Sequence, residues 1–259
     1  MGKVIAVTNQ KGGVGKTTTS VNLAAALAVA EQKVLVVDID PQGNATMGLG
    51  YDKKAQETTI YQVLMGETAV REAILEPAEP ENGGPKLIPS NSSLSGAEVE
   101  LVDQDSRDRR LRRALGEVQE EYDYILIDCP PSLNLLTINA LVAAHSVLIP
   151  IQSEYYALEG LSQLMEVIQR IRRKANPELR VEGLLLTMHD NRNNLANQVS
   201  EEVRSHFGRK VYETTIPRNV RLGEAPSFGM PVIYYDALCR GSESYLDLAH
   251  ELMGCEVPA

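Results

Sequence analysis

Apolar residues in this chain gather in short unbroken runs instead of alternating with polar ones. Lys3–Asn9 (Lys-Val-Ile-Ala-Val-Thr-Asn), Lys33–Asp38 (Lys-Val-Leu-Val-Val-Asp), Tyr124–Asp128 (Tyr-Ile-Leu-Ile-Asp) and His145–Pro150 (His-Ser-Val-Leu-Ile-Pro) each read as a strand. Val181–Met188 reads as a fifth, its start weakened by Glu182 and Gly183. A strand that is apolar at every position is buried on both faces, the condition of a parallel sheet covered by helices. Helical patterns fall over Thr17–Ala30, Arg107–Glu121, Leu135–Ala144, Leu158–Lys174 and Gln198–Phe207. The alternation predicts an α/β fold: one domain over residues 1–259, a doubly wound, mostly parallel sheet with helices on both faces. A ligand site is then expected at the carboxyl ends of the strands. Pro, Glu, Asn and Gly cluster from Glu76 to Pro89, which reads as a long surface loop.

Composition narrows the class. With 259 residues and 43% hydrophobic content, the chain can bury one large core. No apolar run is long enough to span a membrane. Tryptophan is absent and phenylalanine occurs twice, so aliphatic side chains must fill that core. Cys129, Cys239 and Cys255 are widely separated, without Cys-x-x-Cys spacing, which argues against a disulfide framework or a zinc site and for a reducing cytoplasm. The first residues lead directly into a strand, so no signal peptide is expected, and Ala6 breaks the myristoylation pattern that Gly2 begins.

The chemistry starts at the end of the first strand. Gln10 replaces the first glycine of the usual phosphate-loop pattern Gly-x-x-x-x-Gly-Lys-[Ser/Thr], leaving Lys11-Gly12-Gly13-Val14-Gly15-Lys16-Thr17-Thr18. Glycines let successive backbone N–H groups turn toward phosphate oxygens, and the following helix adds the positive end of its dipole. The strand–loop–helix setting marks a nucleoside triphosphate site, with Lys16 on the β- and γ-phosphates and the Thr17 hydroxyl on Mg²⁺. Lys11, at the loop's entrance, is either a solvated surface lysine or a second phosphate ligand.

Two further strands end in aspartate. Tyr124-Ile-Leu-Ile-Asp128-Cys-Pro-Pro-Ser132 fits a Walker B strand, with Asp128 binding Mg²⁺ through a water and the Pro-Pro turn forming a stiff switch. Val37-Asp38-Ile39-Asp40-Pro41-Gln42-Gly43-Asn44 sets two carboxylates beside the same site. They share a face if the strand persists to residue 40. Asp40, nearer the loop, is the candidate for orienting a water at the γ-phosphate. Asp38 either joins it or fixes neighbouring backbone N–H groups.

Together these residues resemble the ParA/Soj family of chromosome- and plasmid-partitioning ATPases, within the deviant Walker A class and nearest the chromosomal Soj type. The resemblance extends over Val37–Thr46, Ile127–Ser132, Glu154-Tyr-Tyr-Ala-Leu-Glu-Gly160, Leu186-Thr-Met188 and Ile216-Pro-Arg-Asn-Val-Arg-Leu-Gly-Glu-Ala-Pro226. It implies ATP hydrolysis with ATP and Mg²⁺ as ligands. It implies an ATP-dependent homodimer in which Lys11 reaches the partner's phosphates, Lys16 binds phosphate in its own subunit and Asp40 positions water. Pro217 and Asn219 would flank the adenine, with Met188 nearby, and Arg192 and Arg221 would bind nonspecific double-stranded DNA. It further implies stimulation by a ParB-type centromere-binding protein, possible control of a replication initiator, and a cytoplasmic, nucleoid-associated location.

Net charge at first argues against DNA, being −10. Yet Ile168–Arg221 holds eleven Lys/Arg against six Asp/Glu, a local +5 that leaves about −15 elsewhere. Such a stretch would bind phosphates without reading bases, with steep salt dependence. Within it, Arg170-Ile-Arg-Arg-Lys174 is either part of that surface or a solvated helix face. A MinD-like membrane ATPase is the main rival, but the acidic segment after Ser242 lacks the basic amphipathic helix that anionic lipids attract. An iron-protein-like carrier would need a second cysteine suitably spaced from Cys129. A relative that acts on a small molecule shares the fold alone.

Overall fold

In the computed structural model, which describes residues 2–78, 83–154 and 157–254, seven parallel strands form one sheet in the order β3-β2-β4-β1-β5-β6-β7. The strands are β1 Lys3–Val7, β2 Val34–Asp38, β3 Lys86–Ile88, β4 Tyr124–Asp128, β5 Ser146–Gln152, β6 Arg180–His189 and β7 Val211–Pro217. Between and after them run α1 Lys16–Val29, α2 Asn44–Gly48, α3 Ile60–Met65, α4 Leu94–Glu100, α5 Arg110–Gly116, α6 Leu135–Ala143, α7 Ala157–Lys174, α8 Asn194–Phe207, α9 Val220–Glu224, α10 Val232–Tyr235 and α11 Arg240–Met253.

Alternate residues of each central strand feed two core layers, as strand geometry requires. Val4, Ala6, Ile125, Ile127, Val147 and Ile149 pack with α3 to α8 on one face. Ile5, Val7, Leu126 and Leu148 pack with α1, α2, α10 and α11 on the other. The expected doubly wound sheet is therefore present. Because β1 lies between β4 and β5 while the chain winds outward in both directions, the crevice opens at the carboxyl end of β1.

Several boundaries differ from the sequence reading. The expected loop Glu76–Pro89 contains β3, which pairs with β2 through Leu35–Lys86, Val36–Leu87 and Val37–Ile88. Three residues are too short to announce themselves by periodicity. The helix expected over Arg107–Glu121 is only α5, followed by a 3₁₀ turn at Gln119–Glu121. Strand β7, unanticipated, is an edge strand whose alternation is broken by exposed Glu213.

Candidate functional site

The loop between β1 and α1 is shaped by glycine. Gly13 and Gly15 have φ of 73° and 87°, in the left-handed region that other residues rarely adopt. Gly15 is the N-cap of α1, and no side chain caps the helix there. Its first-turn N–H groups are thus free of side-chain acceptors and suited to an anion. Neighbouring strand ends hold the loop in place. Asn9 donates through Nδ2 to the Pro150 carbonyl at 2.8 Å, and its Oδ1 accepts from the Lys11 backbone N–H at 3.0 Å. From β6, the Thr187 hydroxyl donates to the Val14 carbonyl at 2.8 Å. Sequence alone assigns no role to Asn9 or Thr187, because the contacts of a polar residue at a strand end are made with residues far along the chain.

The two loop lysines differ sharply. Lys16 is 7% exposed, and its Nζ donates to the Lys11 carbonyl at 3.1 Å. Burial pulls its pKa below the ordinary lysine value, opposed by the nearby Asp128, Cys129 and Asp40. Lys11 instead points outward, its side chain 40% exposed and ion-paired with Glu154, beyond the end of β5. Glu154 lies in a segment quoted for the family resemblance, but only the folded chain reveals the pairing.

Asp128 ends β4 and faces α1. It accepts from the Thr17 hydroxyl at 2.8 Å on Oδ2 and from the Ser20 hydroxyl at 2.8 Å on Oδ1. Burial and then the Asp38 carboxylate, its cross-strand neighbour, raise its pKa to about 8, while the two hydroxyls oppose the shift. A magnesium ion fits this setting: one hydroxyl, a carboxylate hydrogen-bonded behind it and a buried ammonium beside an anion-binding loop match an ion that takes most of its ligands from water and phosphate.

Asp38 and Asp40 part company, because β2 ends at Asp38 and the strand does not persist to residue 40. Asp38 is fully buried, and burial raises its pKa to about 6. Its Oδ2 accepts from the Thr46 backbone N–H and hydroxyl, each at 2.8 Å, and its Oδ1 from the Asp40 backbone N–H at 3.1 Å. Thr46 Oγ1 in turn accepts from the Ser90 N–H at 2.9 Å. These bonds match the reading of Asp38 as a carboxylate that fixes backbone. Asp40, 7% exposed, accepts from the Gln42 N–H at 2.9 Å through Oδ1.

Met188, Pro217 and Asn219 sit at the carboxyl ends of β6 and β7, on the same pole as the loop. Met188 has φ 49°, an uncommon value for a non-glycine residue. Asn219 caps α9, accepting from the Arg221 N–H at 2.8 Å. Arg192, after β6, and Arg221, on α9, are exposed at this pole. Both are ion-paired: Arg192 with Asp190 at 3.0 Å, and Arg221 with Glu224 at 2.8 Å and Asp236 at 3.2 Å. Arg170–Lys174 lie elsewhere. Helix α7 runs from the carboxyl end of β5 to the amino end of β6, which leaves its last turn on the opposite pole. The basic stretch 168–221 is thus divided between two surfaces, a correction to reading it as one patch. Cys129 is fully buried, as expected of small packing.

The comparisons with known proteins place the chain in a family. A family model described as an AAA domain matches residues 2–181. The sporulation initiation inhibitor protein Soj of Bacillus subtilis is 58% identical over 252 residues, 97% of this chain and 98% of that protein. The chromosome partitioning protein ParA of Myxococcus xanthus is 55% identical over 258 residues, covering 100% and 90%. Among solved structures, Mycobacterium smegmatis cobyrinic acid a,c-diamide synthase with bound ATP analog and magnesium superposes with a TM-score of 0.87 at 34% identity, covering 98% of this chain and 94% of that one. The cell division ATPase MinD of Pyrococcus furiosus gives 0.81 at 26%, covering 98% and 99%. Fold is shared across these activities, whereas identity of 58% over nearly the full length of both chains separates the partitioning proteins from the other fold neighbours. The chain belongs to the ParA/Soj family of chromosome-partitioning ATPases.

Proposed function

We propose that this protein is an ATP-hydrolysing switch whose ATP-bound form is a homodimer on nonspecific double-stranded DNA and whose hydrolysis, stimulated by a ParB-type partner, releases it. The observation that carries this reading is the division of labour between its lysines: Lys16 is buried toward the loop, while Lys11 is held at the surface by Glu154. An exposed lysine at the mouth of the site supports a role in meeting a second subunit's phosphates at a face-to-face seam. Gly12, Gly13, Val14, Gly15, Thr17 and Thr18 wrap the phosphates, and Met188, Pro217 and Asn219 border the base. Magnesium, held by Thr17 with Asp128 behind its water shell, would neutralise charge on the phosphate oxygens. Asp40 orients the water. Asp38 is not free to help, since it is committed to Thr46 and Asp40. Hydrolysis then depends on positioning and charge stabilisation, and is slow without a partner.

Arg192 and Arg221 lie on the pole where the seam would form, so pairing two subunits brings two weak phosphate-binding surfaces together and raises avidity. The setting is the cytoplasm, at the nucleoid. Against the MinD-like alternative, the apolar face of α11 is already used: Tyr245, Leu248, Ala249 and Leu252 are buried in the core. Among the described residues no helix is long and apolar enough to cross a membrane.

The test is sedimentation of the wild type with duplex DNA of arbitrary sequence and with anionic vesicles, in ATP analogue, ADP or no nucleotide, alongside light scattering for mass. We expect a dimer and DNA binding with the ATP analogue alone. A chain that stays monomeric under that condition, or that binds vesicles and not DNA, overturns the reading.

A further inference from the structure

Helix α7 ends in a cluster of cations that the site described above does not use. Its apolar stripe, Leu161, Leu164, Ile168 and Ile171, is buried against the sheet, which fixes the helix as a rigid platform. The platform is anchored at its end by Asn176, whose Nδ2 donates to the carbonyls of Leu141, Val142 and Ala144 at 3.0, 3.2 and 2.7 Å. Arg170, Arg172, Arg173 and Lys174 are all exposed on it. Among the described residues none of the four makes an ion pair, whereas Arg192 and Arg221 at the other pole are both neutralised by carboxylates of their own chain. Two shallow grooves of about 450 and 350 Å³ flank Arg173; they are lined by Gln169, Arg172 and Pro177 on one side and by Glu166, Arg170 and Lys174 on the other. Glu166 is the one carboxylate lining them.

We infer that this end of α7 is a second surface for the phosphate backbone of duplex DNA, on the pole opposite the ATP site. The inference rests on the DNA-binding reading proposed above and extends it. Charge complementarity favours a polyphosphate. The grooves contain no exposed large apolar side chain of the kind that a membrane or a protein hot spot would engage. The pole faces away from the site where a second subunit would dock, so the surface stays open in monomer and dimer alike. A dimer would then contact DNA at its outer ends as well as beside its seam. Last-turn cations also complement the helix dipole, so a stabilising role is the competing account.

The experiment compares the ATP-analogue form of the wild type with Arg172→Ala/Arg173→Ala/Lys174→Ala and with Arg192→Ala/Arg221→Ala, by fluorescence anisotropy on a duplex of arbitrary sequence across a salt series. Losing three phosphate contacts should weaken binding about tenfold or more and reduce the salt slope by roughly 2–3. The Arg192/Arg221 variant should retain measurable binding. An Arg172→Lys/Arg173→Lys variant should bind as the wild type, since a phosphate contact needs charge and not a fork, and this separates binding from any folding defect. If the triple variant binds with wild-type affinity and slope, the inference fails while the DNA-binding reading stands. If the wild type does not bind DNA, both fail. Should the triple substitution abolish attachment to phosphatidylglycerol vesicles and leave DNA binding intact, the surface belongs to a membrane and the inference is again overturned.

Discussion

Asp38 and Asp40 are two positions apart and do different things, and the difference comes from where a strand stops. Asp38 closes β2 and spends its oxygens on Thr46 and on the Asp40 backbone. The turn that follows carries Asp40 off the strand with one oxygen engaged by Gln42. Replacing Asp40 by alanine should therefore leave ATP binding intact and lower turnover by about a hundredfold, the scale of losing a positioned polar group. Nucleotide titration and phosphate release measured on the same preparation check this, and unchanged turnover would remove Asp40 from the mechanism. Lys11 shows the limit of reading a motif: its type and place were legible, but its pairing with Glu154, 143 residues away, was not.

Among elements, legibility tracked length and apolar content. Strands β1, β2, β4, β5 and β6 announce themselves as apolar runs because both faces are buried. Edge strands β3 and β7 do not, since one is three residues long and the other carries polar residues where the sheet ends. Polar anchors between elements were also silent. Asn176 is the clearest: it is 3% exposed and caps the last turn of α6 from beyond the end of α7. Asn176→Ala leaves those carbonyls without this donor and should destabilise the fold by about 1–3 kcal/mol. Urea denaturation should show a lower midpoint with an unchanged slope, while nucleotide affinity, set at the other pole, stays the same.

Across the whole molecule, stability with pH reports the carboxylates gathered at the carboxyl ends of the strands. Asp128 and Asp38 are pushed up to about 8 and about 6, chiefly by burial. Raised carboxylate values mean that the native state holds more protons than the unfolded chain above the ordinary aspartate range. Their contribution is thus full at low pH and is lost as pH rises through about 6 and then about 8. His145, lowered by burial, acts in the opposite sense and loses its contribution as pH falls. The nucleotide-free wild type should consequently lose thermal stability, relative to Asp128→Asn, between about pH 5.5 and 8.5. Parallel curves for the two proteins would show that Asp128 ionises normally. The division of charge is also a whole-molecule property. From sequence, residues 168–221 form one basic stretch; in the fold, a helix running antiparallel to its strands delivers Arg170–Lys174 to one pole and Arg192 and Arg221 to the other. The chain alone determined the sheet class, the phosphate-loop sequence, the strand-end aspartates and the family, because each is written in short runs of residues under local constraints. Tertiary structure alone decided which aspartate is committed to backbone, what Lys11 touches and which cations share a surface, because those depend on contacts between residues far apart in sequence that no local pattern encodes.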